Sequence, residues 1–119
     1  HFPGHGDTDV DSHLGLPIIR HPRAHLEAIE LPPFRHAIAT GTDGVMTAHI
    51  ELPALDTSEG TPTTFSKPIV TTLLRGELGF DGLVFTDSMR MRAVTEMVTP
   101  ADAAGRAVAL LVRLCDAPT

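Results

Sequence analysis

The amino-acid sequence predicts an α/β fold in which strand–helix units lie on a parallel sheet. Three observations carry that expectation. Val45 to Ile50 and the continuously apolar Gly82 to Thr86 both read as short buried strands, the kind found in a sheet covered on both faces. Each is followed, directly or after a loop, by a segment with helix-start chemistry. Each also runs out into polar residues, Thr47 and His49 in the first case and Asp87 in the second.

Residues 1–17 are dense in Gly, Pro, His and Asp without apolar periodicity, which is loop composition. A short helix is expected from Pro22 to Ile29, with Pro32-Pro33 interrupting it. Pro33 suits the first turn of a second helix, Phe34 to Ala39, which Gly41 ends. Val45 to Ile50 forms the first strand, and Glu51 to Thr64, rich in Pro, Thr, Ser and Gly, forms a loop. Ser66 is a good N-cap for a helix that has Pro68 in its first turn and reaches about Arg75, with Leu73, Leu74 and Leu78 on its apolar face. Gly76 and Gly79 mark its exit. After the strand Gly82 to Thr86, a helix is expected from Ser88 to about Met97. Another starts at Pro100 and runs towards Leu111, with Val108 to Val112 as an alternative last strand.

Alternating strands and helices imply βα units. In a closed barrel of this kind, catalytic groups come from the C-terminal ends of several strands, and a complete barrel takes about 250 residues. The 119 residues therefore have room for about half of a (β/α)8 barrel, with a small doubly wound sheet as the alternative.

Composition excludes several functions. The apolar content of 42% with 20% charged residues is that of a globular protein. A net charge of −6 argues against nucleic acid or an anionic membrane as partner. No apolar run approaches the roughly 18–20 residues of a membrane span. The single Cys115 rules out an internal disulfide framework, and there is no Cys pair for zinc and no Gly-rich phosphate loop.

Three groups of residues can carry chemistry. His1, His5, Asp7, Asp9, Asp11 and His13 crowd into thirteen positions. They suit a metal site, an acid/base dyad of Asp11 with His13, or a plain solvated loop. Asp87 follows a strand and precedes the expected helix, where helical N–H groups favour an anion; local chemistry alone favours an N-cap role for Asp87 or Ser88. Asp81, between Phe80 and Gly82, reads as a turn residue. His49 could line a pocket or be a hydrogen-bonded core residue, and Met89 and Met91 could pack or form a pocket wall.

Several stretches, in order, carry a resemblance. They are His1-Phe-Pro-Gly-His-Gly-Asp-Thr8, Asp11-Ser-His-Leu-Gly-Leu-Pro17, Leu31-Pro-Pro-Phe34, Val45-Met-Thr-Ala-His-Ile50, Pro53-Ala-Leu-Asp56 and Leu74 through Met89. Together they resemble glycoside hydrolase family 3, in its bacterial β-N-acetylglucosaminidase branch, over most of residues 1–97. The resemblance implies the C-terminal half of a (β/α)8 TIM barrel and a retaining glycosidase that removes terminal β-linked N-acetylglucosamine from glycans or muropeptides. It implies Asp87 as nucleophile, His13 as proton donor, Asp11 as the partner of His13 and His1 at the sugar; His49 and Met89 are added as substrate-binding candidates from their positions beside the strand ends. It also implies no cofactor, no metal and a cytoplasmic location.

An imidazole acid/base repels an incoming anion less than a carboxylate, so phosphate is a further candidate acceptor. The resemblance places the preceding Lys and the first four strands outside these residues. From about Gly105 the tail departs from the family pattern, and the piece alone is expected to be inactive and prone to associate. A metal-dependent hydrolase built on His1, His5 and His13 is the other enzymatic alternative.

Overall fold

The computed structural model describes residues 1–111. Its centre is a parallel sheet of β1 (Gly44–Thr47) and β2 (Leu83–Thr86), in register from Gly44 opposite Leu83 to Thr47 opposite Thr86. On the other side of β1, Phe2 bridges Thr47 in parallel, donating to the carbonyl of Met46 at 2.8 Å and accepting from Ala48 at 2.9 Å. Three extended segments thus run the same way. The chain returns after the first loop to pair Ile18 with Glu51, so that loop is tethered at its base to the continuation of β1.

One long helical passage precedes β1. It consists of α1 (Arg23–His25), a π-helical stretch (Leu26–Glu30) and α2 (Leu31–Ala39), which follow one another directly. The expected break at Pro32-Pro33 is therefore corrected. Proline removes a donor and crowds the carbonyl four residues back. Widening to π geometry, with the Leu31 N–H on the carbonyl of Leu26, lets the helix accommodate both rings without stopping. Gly41 ends the passage as expected, at φ +90°.

After β1 the chain passes through a 3-10 turn (Thr63–Phe65) into a π-helix (Pro68–Glu77). Ser66 does cap this helix: its Oγ accepts from Ile69 at 3.3 Å and donates to the buried carboxylate of Asp56 at 2.6 Å. The π-helix buries Ile69, Val70, Leu73 and Leu74, whereas Leu78 is only partly buried. Asp81, expected at a turn, is exposed just before β2. Beyond β2, the helix expected from Ser88 to Met97 is reduced to α3 (Arg92–Thr95), because residues 88–91 form turns. Finally, α4 (Pro100–Leu111) buries Ala103, Ala107 and Leu111 on one stripe. Val108 to Leu111 are helical, so the alternative last strand is not formed there, while Val112 and Cys115 lie outside the described residues.

The core gathers Phe2, Leu26, Leu31, Val45, Ile50, Leu74 and Val84 between the sheet and these helices. Phe2 is fully buried and meets Phe34 edge-on, with ring centroids 5.1 Å apart. The other face of β2 is open: Leu83 and Phe85 are exposed. Among the described residues no helix is long and apolar enough to cross a membrane.

Because Phe2 is both a sheet partner and a core side chain, Phe2→Ala is expected to lower the unfolding free energy by about 3–5 kcal/mol. Phe2→Leu should cost much less. Urea unfolding of the two variants checks this, and equal losses would contradict it.

Candidate active site

The parallel register sends three segments out at one end of the sheet. Thr47 and Thr86 close the strands there, and Phe2, opposite Thr47, leads into the loop of residues 4–15. A cavity of about 570 Å³ opens at that end. His1, His5, Asp11, His13 and Asp87 line it, with Phe34 and Met91 among the apolar walls. Residues separated by more than seventy positions in the chain therefore share one space.

Asp87 is held from three directions. Its N–H donates to the carbonyl of Thr47 at 3.1 Å, which is the last rung of the sheet. Its Oδ1 accepts from the N–H of Ser88 at 2.7 Å, and its Oδ2 lies 3.0 Å from Nε2 of His1. No helix begins at Asp87, since α3 starts only at Arg92 and Met91 occupies its N-cap position. Both the capping role and the helix-terminus field expected for Asp87 are corrected accordingly. The imidazole of His1 is its neighbour instead.

Asp11 and His13 form the close pair expected from the sequence. One carboxylate oxygen of Asp11 accepts from the backbone N–H of His13 at 2.9 Å and from ring Nδ1 at 2.9 Å. The backbone N–H first, and then the ring, hold the Asp11 carboxyl below the usual carboxylate range. An ionised Asp11 fixes the proton on Nδ1 and leaves Nε2 to give or take one. The pair is open to solvent, with His13 71% exposed.

Ser12 is buried between them and shares a 3.0 Å hydrogen bond with Nε2 of His5. Its carbonyl accepts from Ala93, the second residue of α3, at 3.4 Å. The loop is thus braced against the segment that follows Asp87. Gly4 adds a steric requirement: it sits at φ +128°, and a Cβ there would come within 2.7 Å of Cγ of Glu30.

Two residues expected at a sugar do not line the cavity. His49 is fully buried. Its Nε2–H donates to the carbonyl of Ser88 at 3.0 Å, and its Nδ1 accepts from the hydroxyl of Thr64 at 2.8 Å. Thr47 completes this chain at 3.1 Å from Thr64. His49 therefore steadies the backbone after Asp87 from below. Met89 packs partly buried against the core, and Met91 takes the wall position. Sequence reasoning placed His5 in the His/Asp group of the first loop but did not single out Ser12 or Phe34 as lining residues. For both a signal was present, since Ser12 stands inside the Asp-Ser-His run and Phe34 closes the Leu31-Pro-Pro-Phe34 stretch of the resemblance.

The metal alternative also needs correction. Among the described residues, the His and carboxylate group whose ligand atoms converge is Asp7, His21 and His25, not His1, His5 and His13.

Residues 1–110 match the family described as Glycosyl hydrolase family 3 N terminal domain. The chain belongs to that family, a class of sugar-cleaving hydrolases. Among curated relatives, it is 44% identical over 113 residues to beta-hexosaminidase A of Pseudoalteromonas piscicida, across 87% of this chain and 19% of that protein. It is 37% identical to the beta-hexosaminidase of Nitrosospira multiformis, across 99% of this chain and 34% of that protein. The chain thus spans about a fifth to a third of these relatives. Among solved structures, a glycoside hydrolase family 3 beta-N-acetylglucosaminidase from Paenibacillus sp. str. FPU-7 superposes with TM-score 0.89 at 48% identity, over 92% of this chain and 21% of that one. NagZ from Neisseria gonorrhoeae, in complex with N-trifluoroacetyl-D-glucosamine, superposes with TM-score 0.77 at 34% identity, over 92% of this chain and 30% of that one.

Burial pulls the pKa of His49 below the ordinary imidazole value, against the opposing pull of the Ser88 carbonyl and the Asp87 charge. Below about pH 6.5 the unfolded chain takes up a proton that the folded one refuses. Stability should therefore fall as pH drops from about 6.5 and level off below the folded value. The His49→Gln variant should lack this component, and its unfolding free energy across that window should vary less than that of the wild type. Parallel slopes in pH-stepped urea unfolding would contradict the assignment.

Proposed function

We propose that the polypeptide is a retaining glycosidase that removes terminal β-linked N-acetylglucosamine from glycans or muropeptides. In this reading, the described residues 1–111 belong to the C-terminal half of its (β/α)8 barrel. The observation that carries it is the sharing of one cavity by Asp87, His1 and the Asp11–His13 pair. Family membership and the resemblance to beta-hexosaminidases support it.

The residue chemistry gives a balanced reaction. A carboxylate oxygen of Asp87 bonds to the anomeric carbon while the glycosidic C–O bond breaks, and the leaving oxygen takes the proton from Nε2 of His13. In the second half, His13 removes a proton from water as its oxygen attacks the same carbon, and the Asp87 ester is released. Asp11 stabilises the imidazolium that starts the first half and re-forms in the second, and it keeps the neutral ring between them in the right tautomer. His1 contacts both Asp87 and the sugar space. His49 is a positioning residue, and Met91 rather than Met89 supplies the apolar wall. We place the reaction in the cytoplasm, by family resemblance alone.

Hydrolysis of an aryl β-N-acetylglucosaminide by the full-length polypeptide tests the assignment. Asp87→Ala should lower kcat by on the order of 10⁴-fold or more, with the fold intact by circular dichroism. Activity at the wild-type level in that variant would end the proposal.

A second reading concerns the 119-residue piece by itself as an inactive partial barrel, favoured by Leu83 and Phe85 on the open face of β2. Light scattering should then find it associated rather than monomeric. A sharp monomer that hydrolyses the aryl glycoside would refute this.

A further inference from the structure

We propose that Asp7, His21 and His25 form a binding site for a divalent transition-metal ion of the zinc class, which pins the loop of residues 4–15 to the helix that starts at Arg23. One ligand atom from each of the three lies within 4.8 Å of the others. His21 stands just before the helix and His25 in its first turn, and their rings stack with centroids 3.9 Å apart. Asp7 reaches across from the loop and its Oδ2 pairs with Nε2 of His21. None of the three lines the cavity that holds Asp87.

A second observation points to a ligand. The side chain of Glu30 is only 10% exposed. Its Oε2 is buried and accepts no hydrogen bond. It lies 3.6 Å from Nε2 of His25. An unsatisfied buried carboxylate oxygen is costly. A metal-bound imidazole removes that cost, because coordination through one ring nitrogen turns the other into a strong N–H donor. Carboxylates behind metal-bound histidines serve in this way. Glu30 thus claims Nε2 of His25 and leaves Nδ1 for the ion.

The donor set selects the class of ion. Two imidazoles and one carboxylate suit zinc, cobalt or nickel, whereas calcium and magnesium ask for oxygen ligands. Zinc–nitrogen and zinc–oxygen bonds of about 2.0–2.2 Å require the ligand atoms to close by about 1 Å. Rotation of the two rings about their Cβ–Cγ bonds supplies this, and the stacked pair opens as the nitrogens turn to the ion. With His21 at 35% and His25 at 36% exposure, water can complete the coordination. Because Asp7 precedes Asp11 and His13 on the same loop, an ion here would hold that loop against the helix.

Titration of the chelator-treated full chain with zinc chloride tests the proposal, with calorimetry for affinity and elemental analysis for stoichiometry. One ion per chain is expected at neutral pH. His21→Gln and His25→Gln should each weaken binding at least about tenfold, as should Glu30→Gln. His13→Gln, which removes the other His–Asp pair, should leave it unchanged. No binding, or an ion lost in His13→Gln but kept in His21→Gln and His25→Gln, would overturn the site. Should either histidine variant fail to fold, ring ¹⁵N resonances of the wild type decide: zinc-induced shifts at His21 and His25 support the site, and shifts confined to His1 and His13 refute it.

Discussion

Parallel pairing is the constraint on which the rest of the molecule depends. Phe2, β1 and β2 run in the same direction and in a register that brings Phe2, Thr47 and Thr86 level. In a parallel ladder, every strand delivers its following loop to the same end. The ladder bond from Asp87 N–H to the Thr47 carbonyl extends that order one residue past β2. Were one strand reversed, Asp87 and the Asp-Ser-His loop would leave at opposite ends. The chemistry of the site is therefore a consequence of strand direction.

Beneath that end, polar groups are paired with unusual completeness. Thr47, Thr64, His49 and the Ser88 carbonyl form one directed chain of hydrogen bonds through the interior. Asp56 accepts from Ser66 and from the N–H of Ser58, so its carboxyl stays below the usual range although burial acts the other way. Satisfied buried polar groups define a single arrangement, since any shift leaves a donor or acceptor unpaired. This rigid floor contrasts with the solvent-open Asp11–His13 pair above it.

How much of this was legible in the residues depended on whether the signal was local. The strands at Val45 and Leu83, the stop at Gly41 and the capping by Ser66 were read from a few adjacent positions, and each was found. The Asp11–His13 contact spans two residues and was equally visible. Pro32-Pro33 misled, because the propensity rule assumes an α-helix and the chain answers with π geometry. The helix expected after Asp87 shrank because residues 88–91 turn to bring α3 under Ser12 instead.

By itself, the sequence determined the α/β class, the two buried strands and which side chains possess suitable chemistry, since these follow from composition, periodicity and short motifs, and its longer stretches carried the resemblance to the family. Only the tertiary structure decided which of those side chains meet. It set His1 rather than a helix terminus against Asp87, buried His49 away from the cavity and exchanged Met89 for Met91 at its wall. It also gathered Asp7 with His21 and His25. The physical reason is that a side chain's role depends on direction and burial, and both are set by contacts between segments far apart in the chain.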